Sequence, residues 1–229
     1  MYKYLLFDAD NTLFDFTKAS AVAFTETLAH YKIEQKEETY PIYLKINHDC
    51  WARLERGEIT PKEIKPLRFK LFLEAINETG NPLEINDYYL ARLAEKDYLL
   101  DGAKELLLDL KAKDYSLSII TNGLQLVQRP RIEKAGLTHI FDAITVSEEI
   151  GIAKPKPAFF DDTFRQLGQV SIKEVLVIGD NLLSDILGGI NIGADTVWFN
   201  LKDKTNTTEV TPTHEVKSFE DLRKVIGLS

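Results

Sequence analysis

The sequence predicts an α/β fold, a doubly wound parallel sheet that carries an inserted all-helical domain. Three observations predict it. The run Tyr4-Leu5-Leu6-Phe7 is short, continuous and apolar, and it ends abruptly in Asp8 and Asp10. The run Glu174-Val175-Leu176-Val177-Ile178 ends the same way, in Gly179-Asp180. Such runs, bounded by polar turn formers, read as strands buried on both faces. Residues 16–99 show helical patterning with little strand-like alternation, whereas from residue 100 onward apolar runs alternate with helix-length segments. That alternation implies a parallel sheet. Residues 1–15 and 100–229 are therefore expected to form the α/β core, and 16–99 an insertion into it.

Taken in order, the first strand is Tyr4 to Phe7. Ala19 to Tyr31 reads as an amphipathic helix with Ala19, Val22, Ala23, Leu28 and Ala29 among its apolar positions. Tyr40 to Leu54 reads as another. Thr60-Pro61-Lys62-Glu63 looks like a helix start, with Thr60 as N-cap, Pro61 in the first turn and Glu63 closing a capping box. That helix stops near Thr79-Gly80-Asn81-Pro82, and Ile85 to Tyr98 is the next. Helices at Ala103 to Lys113, Leu126 to Ala135 and Ala158 to Leu167 then separate strands at Tyr115 to Ile120, Phe141 to Val146 and Glu174 to Ile178. A helix from Ser184 to Asn191, a strand at Thr196 to Phe199, a short strand at Val216 to Phe219 and a closing helix to Ile226 complete the chain.

The 229 residues carry 44% hydrophobic side chains, enough for a sizeable core. The formal net charge of −8 disfavours a bulk electrostatic grip on nucleic acid polymers or anionic membranes. It leaves room for a small phosphate ester, which needs only local cations or a metal. Cys50 is the only cysteine, which excludes an internal disulfide and a cysteine-rich zinc site. Asp8 and Asp10 interrupt any apolar leader, and no stretch approaches a membrane span. A soluble cytoplasmic protein is expected, as a monomer or weak homodimer.

Parallel strands deliver their carboxyl ends to one edge, where ligands bind in open α/β sheets. That edge would collect Asp8 and Asp10, Thr121 and Asn122, Lys154, and Asp180 with Asp185. Two like charges about 4 Å apart cost on the order of 4 kcal/mol at an effective dielectric of about 20. Lys154 offsets one charge, and a hard divalent ion such as Mg2+ suits the remaining oxygens. A nucleophilic carboxylate, a second acid two residues on, a hydroxyl, a lysine and magnesium together fit phosphoryl transfer through an aspartyl-phosphate. Asp8 would attack phosphorus, Lys154 and Thr121 would hold the phosphoryl oxygens, and Asp10 would act as acid and then base, with its carboxyl pKa raised in the substrate complex.

The set Asp8-x-Asp10-x-Thr12, Ser118-Ile119-Ile120-Thr121-Asn122-Gly123, Lys154-Pro155 and Gly179-Asp180-x-x-x-x-Asp185 resembles the haloacid dehalogenase superfamily of phosphatases. The resemblance covers most of the chain, and four motifs in register are specific where each alone is weak. It implies a Rossmann-like core with a helical cap inserted after the first motif. It implies Asp8 as nucleophile, Asp10 as general acid/base, and phosphate binding by Thr121, Asn122 and Lys154. It implies magnesium held by Asp8, the Asp10 carbonyl and Asp180, with Asp185 nearby through water or orienting the lysine. The segments Asp8 to Asp15 and Gly179 to Ile186 are similar to the pyrimidine 5′-nucleotidase subgroup, which implies a pyrimidine nucleoside monophosphate as substrate. Metal-free dehalogenases lack the second acid, so Asp10 argues against dehalogenation.

Other readings stand beside this one. The same device serves phosphatases of phosphoglycolate or sugar phosphates, and a phosphomutase. A signalling receiver domain uses similar residues but in another order and in a shorter chain. A non-catalytic phosphate-binding protein would be expected to have lost one of Asp8, Asp10, Lys154 or Asp180. Thr12 is expected to cap the turn after the first strand and to position Asp10. Asn181 reads equally as a turn former or as a group near the metal. Lys156 is expected to be a solvated loop charge. Trp51, Tyr40, Tyr43, Arg53, Arg68, Lys45 and His48 are candidates either for the cap interior and surface or for contact with a base or ribose.

Overall fold

The strand Tyr4–Phe7 (β1) is buried along its whole length, because a parallel strand covered by helices on both faces has no solvent side. Its side chains divide by parity. Leu5 and Phe7 join one apolar cluster with Leu117, Ile119, Leu176 and Ile178. Tyr4 and Leu6 join a second with Ile120, Val175 and Val177. The computed structural model describes residues 2–228, the side chain of Glu55 excepted. Five further strands complete the sheet: Ser116–Thr121 (β2), Ala143–Val146 (β3), Val175–Gly179 (β4), Asp195–Phe199 (β5) and His214–Val216 (β6). Their order is β3-β2-β1-β4-β5-β6, and every neighbouring pair is parallel. The order reverses between β1 and β4, the switch point at which such sheets open a crevice.

The helices are Phe16–His30 (α1), Thr39–Glu55 (α2), Pro61–Ala75 (α3), Pro82–Ala94 (α4), Ala103–Ala112 (α5), Gln125–Lys134 (α6), Ser147–Ile150 (α7), Pro157–Leu167 (α8), Leu187–Asn191 (α9) and Phe219–Ile226 (α10). The chain forms two compact units, Met1–Phe16 with Asp97–Ser229, and Thr17–Lys96. In the first, α5 and α10 cover one sheet face with Leu106, Leu107, Leu110, Leu222 and Ile226. Phe159 and Phe160 of α8 cover the other. No helix among the described residues is long and apolar enough to cross a membrane.

In the second unit the capping box forms as the sequence predicts. Thr60 Oγ1 accepts from Glu63 N at 3.3 Å, and Glu63 Oε2 accepts from Thr60 N at 2.8 Å. The stretch before Pro82 differs from expectation. The helix before it already ends at Ala75, and Asn81 caps α4, its Oδ1 accepting from Leu83 N at 3.1 Å. That helix accordingly begins before Ile85 and ends at Ala94. Phe24, Tyr43, Phe69, Phe72 and Tyr89 form the aromatic interior. Within it Arg68 links three helices, donating to Asn86 Oδ1 at 3.0 and 2.7 Å and to Asn47 Oδ1 at 3.1 Å. Its guanidinium also lies 5.2 Å from the Tyr89 ring, a favourable cation–π distance.

Arg68→Met keeps the volume but strips both buried amides of their donor. It should destabilise the helical unit by about 2 kcal/mol. Hydrogen exchange of the α2, α3 and α4 amides measures this; unchanged protection would show that the link holds nothing.

Candidate active site

The register sets Phe7 level with Ile119 of β2 and Ile178 of β4, so three neighbouring strands end within two residues of one another. Asp8 N donates to Ile178 O at 2.8 Å, which carries the sheet one residue further. The chain then turns tightly. Leu13 N and Phe14 N both donate to Ala9 O, at 3.0 and 2.9 Å, and Asn11 N donates to Phe14 O at 2.8 Å. Asn11 has φ 60°, a left-handed conformation that asparagine tolerates. This loop fixes Asp8 and Asp10 close together at the edge of the sheet.

Lys154 reaches the same edge from the loop after α7. Its peptide to Pro155 is cis. The Asn122 amide grips the Lys154 backbone twice: Nδ2 donates to Lys154 O at 3.0 Å, and Lys154 N donates to Asn122 Oδ1 at 2.9 Å. The Lys154 ammonium is buried and donates three hydrogen bonds, to Asp8 Oδ1 at 2.7 Å, Asp185 Oδ1 at 2.7 Å and Ile120 O at 2.6 Å. All three of its protons are used. Thr121 is buried beside it, its Oγ1 accepting from Gly123 N at 3.0 Å.

At the end of β4, Asp180 is followed by a π-helical turn, Leu182–Ile186. Asn181 Oδ1 caps that turn by accepting from Leu183 N and Ser184 N at 2.9 and 3.1 Å, which makes it a turn former. The turn brings Asp185 back, so that its Oδ2 accepts from Asn181 N at 3.0 Å. A Cβ on Gly179 would lie 2.3 Å from Asp185 Oδ2, so only glycine leaves room for this carboxylate.

Asp8, Asp180 and Asp185 each bring one oxygen within 4.8 Å of the others. Burial pushes the Asp8 carboxyl well above its usual range, with Asp185 and Asp180 adding to the rise and Lys154 opposing it. Burial also raises Asp180, to about 6, with Asp185 as the next cause and Lys204, 3.6 Å away, in opposition. Burial favours the neutral amine at Lys154, but the charges of Asp185 and Asp8 outweigh it and hold the ammonium above the usual lysine range. The cluster is thus short of positive charge, and its donors are hard oxygens. Both features fit a divalent cation such as magnesium.

The sequence-predicted residues Asp8, Asp180, Asp185 and Lys154 meet in this cluster, with Thr121 and Asn122 alongside. Lys156 is exposed. One expectation needs revision. The Thr12 hydroxyl is buried but makes no hydrogen bond among the described residues, so it caps nothing. The Asn122 side chain has its oxygen and one amide proton committed to the Lys154 backbone. In the helical unit Tyr43 and Arg68 belong to the interior, His48 and Lys45 are exposed, and Arg53 pairs with Glu58 at 3.7 Å. Sequence reasoning missed the partners of Asp10. Gln128 Nε2 donates to Asp10 Oδ2 at 2.7 Å, and Arg131 donates to Oδ1 at 2.5 Å. Their spacing of three on α6, just after Thr121-Asn122, was the available signal.

Residues 2–193 match the family of haloacid dehalogenase-like hydrolases. The chain belongs to this family. As a haloacid dehalogenase-like hydrolase it is 34% identical to pyrimidine 5′-nucleotidase PynA of Streptococcus pneumoniae, over 96% of this chain and 93% of that protein. It is 33% identical to pyrimidine 5′-nucleotidase YjjG of Escherichia coli, over 98% of each. The magnesium-bound crystal structure of the HAD-hydrolase YfnB of Bacillus subtilis superposes with a TM-score of 0.93 at 34% identity, covering 98% of both chains.

A carboxylate whose folded pKa is raised contributes stability that is present below its unfolded pKa and lost as pH rises through its folded one. For Asp180 of this hydrolase the window runs from the ordinary 3.8 to about 6. The shift corresponds to about 3 kcal/mol. In chelator-treated protein, Asp180→Asn should therefore be more stable than wild type at pH 7 to 8, and the advantage should vanish below about pH 4. Urea unfolding across pH checks this; a variant less stable than wild type at neutral pH would contradict it.

Proposed function

We propose that this protein is a magnesium-dependent phosphomonoester hydrolase that forms an aspartyl-phosphate on Asp8, with pyrimidine nucleoside 5′-monophosphates as substrates. One observation carries the mechanism: a buried lysine hydrogen-bonded to Asp8 inside a cluster of acids at the switch point of a parallel sheet. The substrate class follows from the names of the two nucleotidases that match nearly the whole chain.

Asp8 attacks phosphorus while the ester P–O bond breaks and Asp10 gives its proton to the departing alkoxide oxygen. Asp10, now a carboxylate, takes a proton from water as that water attacks phosphorus. The bond from Asp8 to phosphorus breaks, and inorganic phosphate leaves. Lys154 keeps its charge throughout and lies against the phosphoryl oxygens nearest Asp8. Thr121 accepts from Gly123 N and keeps its own proton to donate to a phosphoryl oxygen. Asn122 serves through Lys154, by fixing its backbone. Bound through Asp8, Asp180 and the Asp10 carbonyl, with Asp185 beside it, magnesium would supply the positive charge that lets a dianionic ester approach these acids. The α/β unit supplies this chemistry, and we assign substrate choice to the helical unit.

Asp8→Asn should lower phosphate release by at least about a thousandfold while leaving the fold intact. Wild type should release phosphate from dUMP, dTMP and UMP faster than from purine monophosphates, phosphoglycolate or hexose phosphates, and only with magnesium present. Release favouring phosphoglycolate or a sugar phosphate would keep the mechanism and replace the substrate. An active Asp8→Asn would sink the mechanism.

A further inference from the structure

In the mechanism above Asp10 acts twice, first giving a proton and then taking one. Both transfers need the carboxylate held in one orientation, because proton transfer demands hydrogen-bond geometry. A carboxylate on a loop has two free side-chain rotations, and the backbone of residues 8–14 does not restrict them. The restriction comes from α6.

Arg131 is fully buried, and its guanidinium carbon sits 4.6 Å from the centre of the Phe14 ring. Phe14 is itself tied to Ala9 O, so the arginine is stacked on the loop that carries Asp10. From there it donates to Asp10 Oδ1. Gln128, 1% exposed, donates to Oδ2. The opposite amide orientation would set oxygen against oxygen. Gln128 Oε1 has no hydrogen-bond partner among the described residues, an unfavourable arrangement for a buried amide. A purely structural residue at this position would be better apolar, so the side chain is explained by its donor. Gly123 makes the room: a Cβ there would meet Gln128 Nε2 at 2.3 Å. The helix is anchored in turn by Glu148 Oε2, which accepts from Gln125 N at 2.8 Å, and by the paired bonds of Arg129 to Glu149 at 2.8 and 2.7 Å.

We propose that Gln128 and Arg131 are positioning residues for Asp10, fixing each of its oxygens so that one carboxylate serves both proton transfers. Each oxygen retains a further lone pair for the travelling proton. Neither positioning residue gains or loses a proton. The inference rests on the acid/base role assigned to Asp10.

Gln128→Met removes the donor at similar length and leaves the ion pair in place. On the preferred alkyl phosphate, kcat should fall about 30-fold with KM unchanged, since general acid–base catalysis contributes about a hundredfold or more. On p-nitrophenyl phosphate the leaving group departs without a proton. The pre-steady-state burst of p-nitrophenolate should keep the wild-type rate, and the steady state after it should slow. Arg131→Lys, which keeps the charge but loses the planar fork, should show the same split where it folds. An unchanged kcat, or equal losses in the burst and on the alkyl ester, would overturn the proposal. Full activity in Asp10→Asn would instead overturn the acid/base reading itself.

Discussion

The structure is built around one buried ammonium. Lys154 is buried and has three acceptors within hydrogen-bond distance: two carboxylates and the Ile120 carbonyl. A lone cation at that depth would cost several kcal/mol, and the carboxylates of Asp8 and Asp185 supply the compensating charge. The local backbone follows from that need. Ile120 offers its carbonyl one residue before β2 ends. Asn122 grips the Lys154 backbone from the next turn. Gly179 has no side chain because Asp185 must come within reach, and the π-helical turn after Asn181 is what returns Asp185 to the edge. Three strands and two loops are fitted to one nitrogen.

The same arrangement leaves the site under electrostatic tension. Lys154 neutralises only part of the charge of three converging acids, and burial raises Asp8 and Asp180 away from their ordinary ionisation. A structural core would replace such groups with apolar ones, since a buried ion cluster is seldom the most stable filling of a given volume. Their retention is consistent with a site that reaches electrostatic balance only with a divalent cation and an anionic ligand. Stability has been exchanged here for a prearranged field, the usual relation at active sites.

Much of this was legible because the sheet is parallel. Buried strands appear as unbroken apolar runs, and each run here ends in the residue that matters: Phe7 before Asp8, Ile120 before Thr121, Ile178 before Gly179-Asp180. The motif spacing then located the acids and the lysine. What stayed hidden depends on side-chain direction. Asn122 beside Thr121 gives no sign in the sequence that its side-chain amide closes on the Lys154 backbone. Thr12 looks like a cap until its hydroxyl is found without a partner. The spacing of three puts Gln128 and Arg131 on one face of α6, but only the folded chain shows that this face meets Asp10. Thr79 to Pro82 looks like a terminator, yet α3 ends at Ala75 and Asn81-Pro82 begins the next helix.

The two acids of the first motif are separated by one residue, yet their surroundings differ in kind. Asp8 shares a buried lysine with Asp185 and lies among other acids. Asp10 faces the other way, into an arginine stacked on Phe14 and a glutamine from α6. Such a division needs a backbone that reverses within a single turn, which is what the double acceptance at Ala9 O provides. A regular strand would also have sent Asp8 and Asp10 to one face. They would then have competed for Lys154. By leaving the strand at Asp8, the chain gives one carboxylate a shared ammonium and the other a fixed guanidinium. Pairs of carboxylates placed in unlike environments can take unlike roles. The proposed mechanism asks for that separation: one group would form a bond to phosphorus, and the other would only move a proton.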